Sequence, residues 1–124
     1  MIIQVNNNKI YWEFIRSLRN DTRLSDSFVD HTYISQESQE KYMSKYGSSY
    51  YIYLLNNIPV GFIGVVNNDL RIAVHPDYYN KGIGTELLYS IIREYPFLDI
   101  KVRKTNISGQ QFFDKHKLTY TLVD

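Results

Sequence analysis

The chain has 124 residues, a formal net charge of +1, 44% hydrophobic and 22% charged residues, which is the size and composition of one globular domain able to bury a core. So even a charge balance argues against a protein that holds nucleic acid through a basic excess. The sequence has no cysteine, which excludes disulfides, cysteine-based zinc sites and a cysteinyl intermediate, and makes the reducing cytoplasm the expected location.

Met1 to Val5 is apolar and partly β-branched and reads as a strand rather than a leader peptide, because it has no basic flank and no small-residue cleavage pattern. Asn6-Asn7-Asn8 then offers a turn or a helix cap. From Lys9 to Arg19, Tyr11, Phe14, Ile15 and Leu18 recur at helical spacing and predict an amphipathic helix. Residues 20 to 33 mix Asp, Ser and Thr with isolated apolar residues and read as a loop with one helical turn. Ser35 is placed to cap a second helix over residues 36 to 46, with Tyr42, Met43 and Tyr46 as its apolar stripe and Gly47 suited to the position past its end.

Three strands follow closely, Tyr50–Leu55, Val60–Val66 and Asp69–His75, separated by Asn56-Asn57-Ile58-Pro59 and Asn67-Asn68. Asparagine tolerates the positive φ of tight hairpins, so these segments predict an antiparallel meander. In the third strand Leu70, Ile72 and Val74 alternate with Asp69, Arg71, Ala73 and His75, giving an apolar face and a polar face on which chemistry can sit. Ile83, Leu87, Leu88, Ile91 and Ile92 form the strongest helical stripe, which ends near Tyr95-Pro96. Leu98–Val102 reads as a strand, Ser108–His116 as a helix and Leu118–Val123 as a terminal strand. No apolar run approaches the roughly 18 residues that span a bilayer, so no membrane partner is expected. The pattern predicts one α+β domain over residues 1–124.

The most informative segment is Val74-His75-Pro76-Asp77-Tyr78-Tyr79-Asn80-Lys81-Gly82-Ile83-Gly84-Thr85. Two glycines at a helix entrance remove the Cβ atoms that would hold a ligand off the backbone, and the free N–H groups of the first turn, the helix dipole and Lys81 all favour an anion. The same glycines also serve simply to turn the chain into a helix. A P-loop needs its lysine after the glycines, and Lys81 precedes them; a dinucleotide fingerprint needs a third glycine and a parallel βαβ unit, and both are missing.

The segment resembles the signature of the GNAT superfamily of acetyl-CoA-dependent N-acyltransferases. Val74-His75-Pro76 matches its strand-end Val-x-Pro, and Tyr79-Asn80-Lys81-Gly82-Ile83-Gly84 lies in the register of its (Arg/Gln)-x-x-Gly-x-(Gly/Ala) loop, with Tyr79 standing where Arg or Gln is usual. The order of elements matches the family's over most of the chain. Asn106-Ile107-Ser108 through Phe112-Phe113 is similar to its late Asn-x-x-(Ala/Ser)-x-x-x-Tyr element, with Phe113 in place of the tyrosine that protonates the departing thiolate in many members. Leu18-Arg19-Asn20-Asp21, His31 and Ile34-Ser35 resemble a pattern in members that acetylate nucleotide-linked amino sugars.

The resemblance implies a three-layer mixed α/β fold with a mostly antiparallel central sheet flanked by helices. It implies acetyl-CoA as co-substrate, no metal, a small-molecule amine as partner, and a homodimer as a candidate assembly. Residues implied in cofactor binding are Ala73, Val74, Tyr79, Asn80, Lys81, Gly82, Ile83, Gly84, Thr85, Asn106 and Phe113, Asn106 being equally suited to capping a helix. The amine attacks directly after losing a proton, for which Asp69 and His75 are the candidate catalytic residues, and a backbone N–H near Val74 is expected to hold the oxyanion. Asp69 with Arg71 also fits a surface ion pair, and His75 a simple loop residue. Tyr78, Tyr79 and Tyr120 are alternative acids. The basic run Lys101-Val102-Arg103-Lys104 reads as a solvated strand edge. A non-catalytic acyl-CoA-binding domain and a peptide or protein N-acetyltransferase are the alternative functions.

Overall fold

A computed structural model describes residues 1–124. Strand β1 (Ile2–Gln4) leads into helix α1 (Lys9–Arg19), which starts where it does because the Asn8 side chain accepts hydrogen bonds from the amides of Ile10 and Tyr11. A 3-10 helix over Thr22–Ser27 supplies the single turn expected in the following loop. Helix α2 (Gln36–Tyr46) is capped by Ser35, whose Oγ accepts from the Ser38 amide at 3.1 Å. Gly47 corrects the expectation for its end. It is right-handed, with φ −57° and ψ −32°, and opens a 3-10 turn rather than a left-handed cap. Glycine is needed there because a Cβ would collide with the carbonyl oxygen of Asn6.

The meander forms as expected from β2 (Tyr50–Leu55), β3 (Ile58–Val66) and β4 (Asp69–Val74). Its turns use Asn56, Asn57, Asn67 and Asn68 at φ between 52° and 64°. β3 starts two residues before the expected Val60. Tyr53 pairs with Gly61 and Leu54 with Pro59, so Val60 is the extra residue of a bulge. Beyond β4 come a 3-10 turn (Pro76–Tyr78), α3 (Ile83–Ile91), β5 (Lys101–Arg103), α4 (Ile107–Lys115) and β6 (Thr121–Val123).

The sheet order β1-β2-β3-β4 is antiparallel throughout, whereas β5 and β6 form a separate parallel pair. Both terminal strands are shorter than their apolar runs suggest because only residues 101–103 and 121–123 find each other. Two cores lie on opposite faces of the main sheet. Trp12, Ile15 and Leu18 of α1 and Met43 of α2 pack on one face against Ile52, Phe62 and Ala73. Ile83, Leu87, Leu88 and Ile91 of α3, with Phe113 of α4, pack on the other face against Val60, Ile63 and Leu70. The result is the three-layer mixed α/β arrangement, with helices flanking a mostly antiparallel sheet.

Candidate active site

The two sheets touch at one place. Leu70 N donates to Asp99 O at 3.1 Å and Asp99 N donates to Asn68 O at 2.7 Å, making a single parallel bridge between Asp69 and Asp99. Past this bridge β4 and β5 part. Successive amides along a strand point to opposite edges. Leu70 N points toward β5 and His75 N bonds Val60 O on β3, so the amides of Ile72 and Val74 point into the gap. A cleft of about 1010 Å³ occupies it, lined along its length by Ile72 and Val74 on one side and Ile100 and Val102 on the other.

At one end the cleft meets the start of α3. Asn80 and Gly82 take φ of 62° and 78°, which lets the chain reverse sharply into the helix. A Cβ at Gly82 would meet nothing within 4 Å, so the glycine faces open space. No side chain caps this helix; its first intrahelical bond runs from Glu86 N to Gly82 O, and the amides of Lys81 to Thr85 have no acceptor within the protein. These amides at the positive end of a helix dipole form a cradle for an anion. Gly84 sits close under α4: its Cβ would lie 3.4 Å from the Phe112 ring and 3.9 Å from Val74 Cγ2.

The cleft gathers most of the residues the sequence singled out, Val74, Tyr78, Tyr79, Asn80, Gly82, Ile83, Gly84, Thr85, Asn106, Phe113 and Asp69. Asn106 caps α4, accepting from Gly109 N at 2.9 Å. Phe113 is buried at 6% exposure and also packs in the α3 core. Burial raises the Tyr79 hydroxyl above its ordinary pKa, with Asp21 adding to the effect. Three expected residues lie outside the lining. Ala73 is packed in the core on the α1 face. Lys81 is exposed. His75 folds back on its own turn, its Nδ1 accepting from Asp77 N at 3.1 Å. Tyr120 donates to Asp114 at 3.0 Å on the outer surface.

At the other end the lining comes from α1, the loop after it, α2, β2 and β4, through Arg19, Phe28, Asp30, Tyr42, Tyr50 and Arg71 among others. Tyr50 crosses from Gly64, whose missing Cβ leaves room for the ring, and its hydroxyl meets Tyr42 Oη at 2.8 Å. Arg71 donates to both hydroxyls and, through Nε, to Asp69 Oδ2 at 3.3 Å. Burial holds the Tyr42 hydroxyl above its ordinary pKa, with Tyr50 adding to the effect. Asp69 Oδ1 also lies 3.7 Å from Lys101 Nζ, which pairs with Asp99 at 2.8 Å. In the basic run Lys101 and Lys104 are exposed, as a solvated edge requires, while Arg103 is half-buried. Lys104 pairs with Asp124, and Arg103 ties β5 to the first 3-10 helix through Ser25 O at 3.0 Å.

A family model described as the acetyltransferase (GNAT) family matches residues 11–117. Streptothricin acetyltransferase A of Bacillus subtilis (strain 168) is 31% identical over 103 residues, covering 74% of this chain and 60% of its own length. The chain thus spans about three fifths of that relative. The structure superposes on ribosomal-protein-alanine N-acetyltransferase from Brucella melitensis with a TM-score of 0.78 at 13% identity, over 94% of this chain and 82% of the other. It superposes on diaminobutyrate acetyltransferase from Paenibacillus lautus, solved with L-2,4-diaminobutyric acid and coenzyme A, with a TM-score of 0.69 at 16% identity, over 94% and 74% of the two chains. These likenesses show a shared fold.

Proposed function

The chain belongs to the acetyltransferase (GNAT) family, and from that premise we propose that it moves an acetyl group from acetyl-CoA to a primary amine of a small molecule, with no covalent enzyme intermediate. The observation that carries this reading is the bare edge of β4 inside a cleft that starts at the uncapped α3 helix. An elongated donor with a diphosphate at one point and an acyl thioester further along suits both features.

In this reading the amides of Lys81 to Thr85 hold the diphosphate, and Gly82 and Gly84 keep side chains out of its way. Ile72 and Val74 line the thioester arm, and their inward amides are fixed donors for an oxygen that takes on negative charge during acyl transfer. Asp69, on the lining between the two ends, is the proposed proton acceptor for the attacking amine. His75 serves the turn that sets the loop's path. Phe113 has no proton to give, so Tyr78 or Tyr79, both on the lining, takes the role of acid. Among small amines the leading acceptor class is a nucleotide-linked amino sugar, supported by the Arg19-Asn20 and Ile34-Ser35 pattern, of which Arg19 and Ile34 line the cleft.

The buried phenylalanine at position 113 favours one second reading, an acyl-CoA-binding domain without turnover. Calorimetry with acetyl-CoA and thiol release over an amine panel separate the two. Binding with release on at least one amine is the expected result; tight binding with no release on any amine gives the second reading, and no binding ends both.

A further inference from the structure

The acceptor end of the cleft holds a cation whose partners are incomplete. Arg19, the last residue of α1, reaches under the loop that follows it. Its Nη2 donates to Asp30 O at 2.9 Å, and its guanidinium carbon stands 4.7 Å from the centre of the Phe28 ring. Its Nε is fully buried and has no acceptor. Neither named partner is a carboxylate.

The neighbouring charges are otherwise accounted for. Arg71 is paired with Asp69, and Lys101 with Asp99 and Asp69. The Asp30 side chain accepts from Thr32 N at 3.0 Å. Burial pushes the Arg19 guanidinium below its ordinary pKa; Tyr50 opposes this, Arg71 adds to it, and the Asp30 carboxylate attracts the guanidinium without a hydrogen bond to it. Arg19 and Arg71 both line the cleft, and two like charges in one pocket are unfavourable and are relieved by an anion arriving there. A guanidinium fork fits the planar oxygens of a carboxylate or two oxygens of a phosphate.

We infer that the acceptor molecule carries an anionic group, a carboxylate or a phosphate, and that Arg19 receives it with Arg71 and the paired hydroxyls of Tyr42 and Tyr50 completing the receptor. The inference rests on the acetyl-transfer reading for the identity of the ligand as acceptor, while the anion site itself stands on the cleft geometry. It deepens that reading by naming what the acceptor presents besides its amine. Amines without an anion leave the repulsion between Arg19 and Arg71 unrelieved, and polycationic amines add to it.

The test uses matched acceptors in a thiol-release assay. L-2,4-diaminobutyrate against 1,3-diaminopropane isolates a carboxylate, and a uridine-diphosphate-linked amino sugar against the free amino sugar isolates a phosphate. At least one anionic member should exceed its neutral partner in kcat/KM by about tenfold to a hundredfold, the range of one charge-assisted hydrogen bond, and the pair that does so identifies the source of the anion. Arg19→Gln should erase the preference and Arg19→Lys restore part of it, with acetyl-CoA affinity unchanged in both as the control for folding. Equal or better use of the neutral member in both pairs, or a preference that survives Arg19→Gln, overturns the inference. If no amine is acetylated, malonate and pyrophosphate are titrated into the CoA-saturated protein. Binding that disappears in Arg19→Gln supports the anion site even as the acetyl-transfer reading fails; no binding, or equal binding in both proteins, overturns it.

Discussion

Asn20 and Ile34 grip each other in both directions: Asn20 Nδ2 donates to Ile34 O at 2.9 Å and Ile34 N donates to Asn20 Oδ1 at 2.8 Å. Arg16 Nη1 reaches the same carbonyl at 3.1 Å. One side chain thus ties the end of α1 to the far end of a loop that contributes Phe28, Val29, Asp30 and Ile34 to the acceptor wall.

Asn20→Ala removes both bonds and leaves a partly buried amide unpaired, a loss of about 1–3 kcal/mol. Denaturant titration should show that loss. KM for the amine should rise with acetyl-CoA affinity unchanged, because the residues proposed for the diphosphate and the thioester arm belong to β4, the loop after it and α3; an equal rise in both constants would place the loop's influence elsewhere.

The two loop glycines should respond differently. Gly82→Ala forces a side chain into a left-handed conformation at about 1–2 kcal/mol and places a methyl group in the open space proposed for the diphosphate. Gly84→Ala brings its methyl into ordinary contact with Phe112 and should leave the melting temperature nearly unchanged. Gly82→Asp and Gly84→Asp should both abolish acetyl-CoA binding in calorimetry while the circular dichroism stays native. Undiminished affinity in both would remove the cradle from the proposed mechanism.

Asp69→Asn keeps the shape of the side chain and removes its charge. If Asp69 takes the amine's proton, kcat should fall by about a hundredfold or more with acetyl-CoA binding within a factor of two. A fall confined to thermal stability, with kcat intact, would leave Asp69 as the partner of Arg71 and Lys101 and nothing more.

His116 ties α4 to α3, with its Nε2 3.1 Å from Thr85 Oγ1 and its Nδ1 3.0 Å from Tyr89 Oη. Burial, then the nearby Lys115, lowers its pKa from the ordinary 6.5. The unfolded chain therefore binds the proton more readily. The neutral ring's contribution is whole above pH 6.5 and is lost as the pH falls through the lower, folded-state value. Proton NMR should place the His116 midpoint below 6.5, and the loss of stability on mild acidification should be smaller in His116→Gln.

The helices were legible because their determinants are local. Asn8 and Ser35 cap where their chemistry says they should, and the Asn pairs turn the meander where positive φ is tolerated. The gap between β4 and β5 was not legible from composition or period, since it depends on which strand Asp99 touches over a distance of thirty residues. The Tyr50 ring is core; only its hydroxyl reaches the polar group on the cleft wall, and that depends on a glycine across the sheet at position 64. Arg19 enters the sequence reading as part of the Leu18-Arg19-Asn20-Asp21 pattern; its place on the cleft lining, against Phe28 and Asp30, depends on a chain reversal that no local pattern encodes. His75 shows the converse, a residue type suited to proton transfer that the local turn employs as a cap.

Main-chain groups left bare at a sheet margin ordinarily recruit a second chain, which is a route to aggregation. Here the bare margin lines a cleft whose other walls include β5 and α4. The protein can therefore keep unmet hydrogen-bonding capacity in reserve without exposing it to its own copies. That reserve is released when a donor enters, so occupancy should slow amide exchange along residues 70–74 together with that of Lys101 to Arg103.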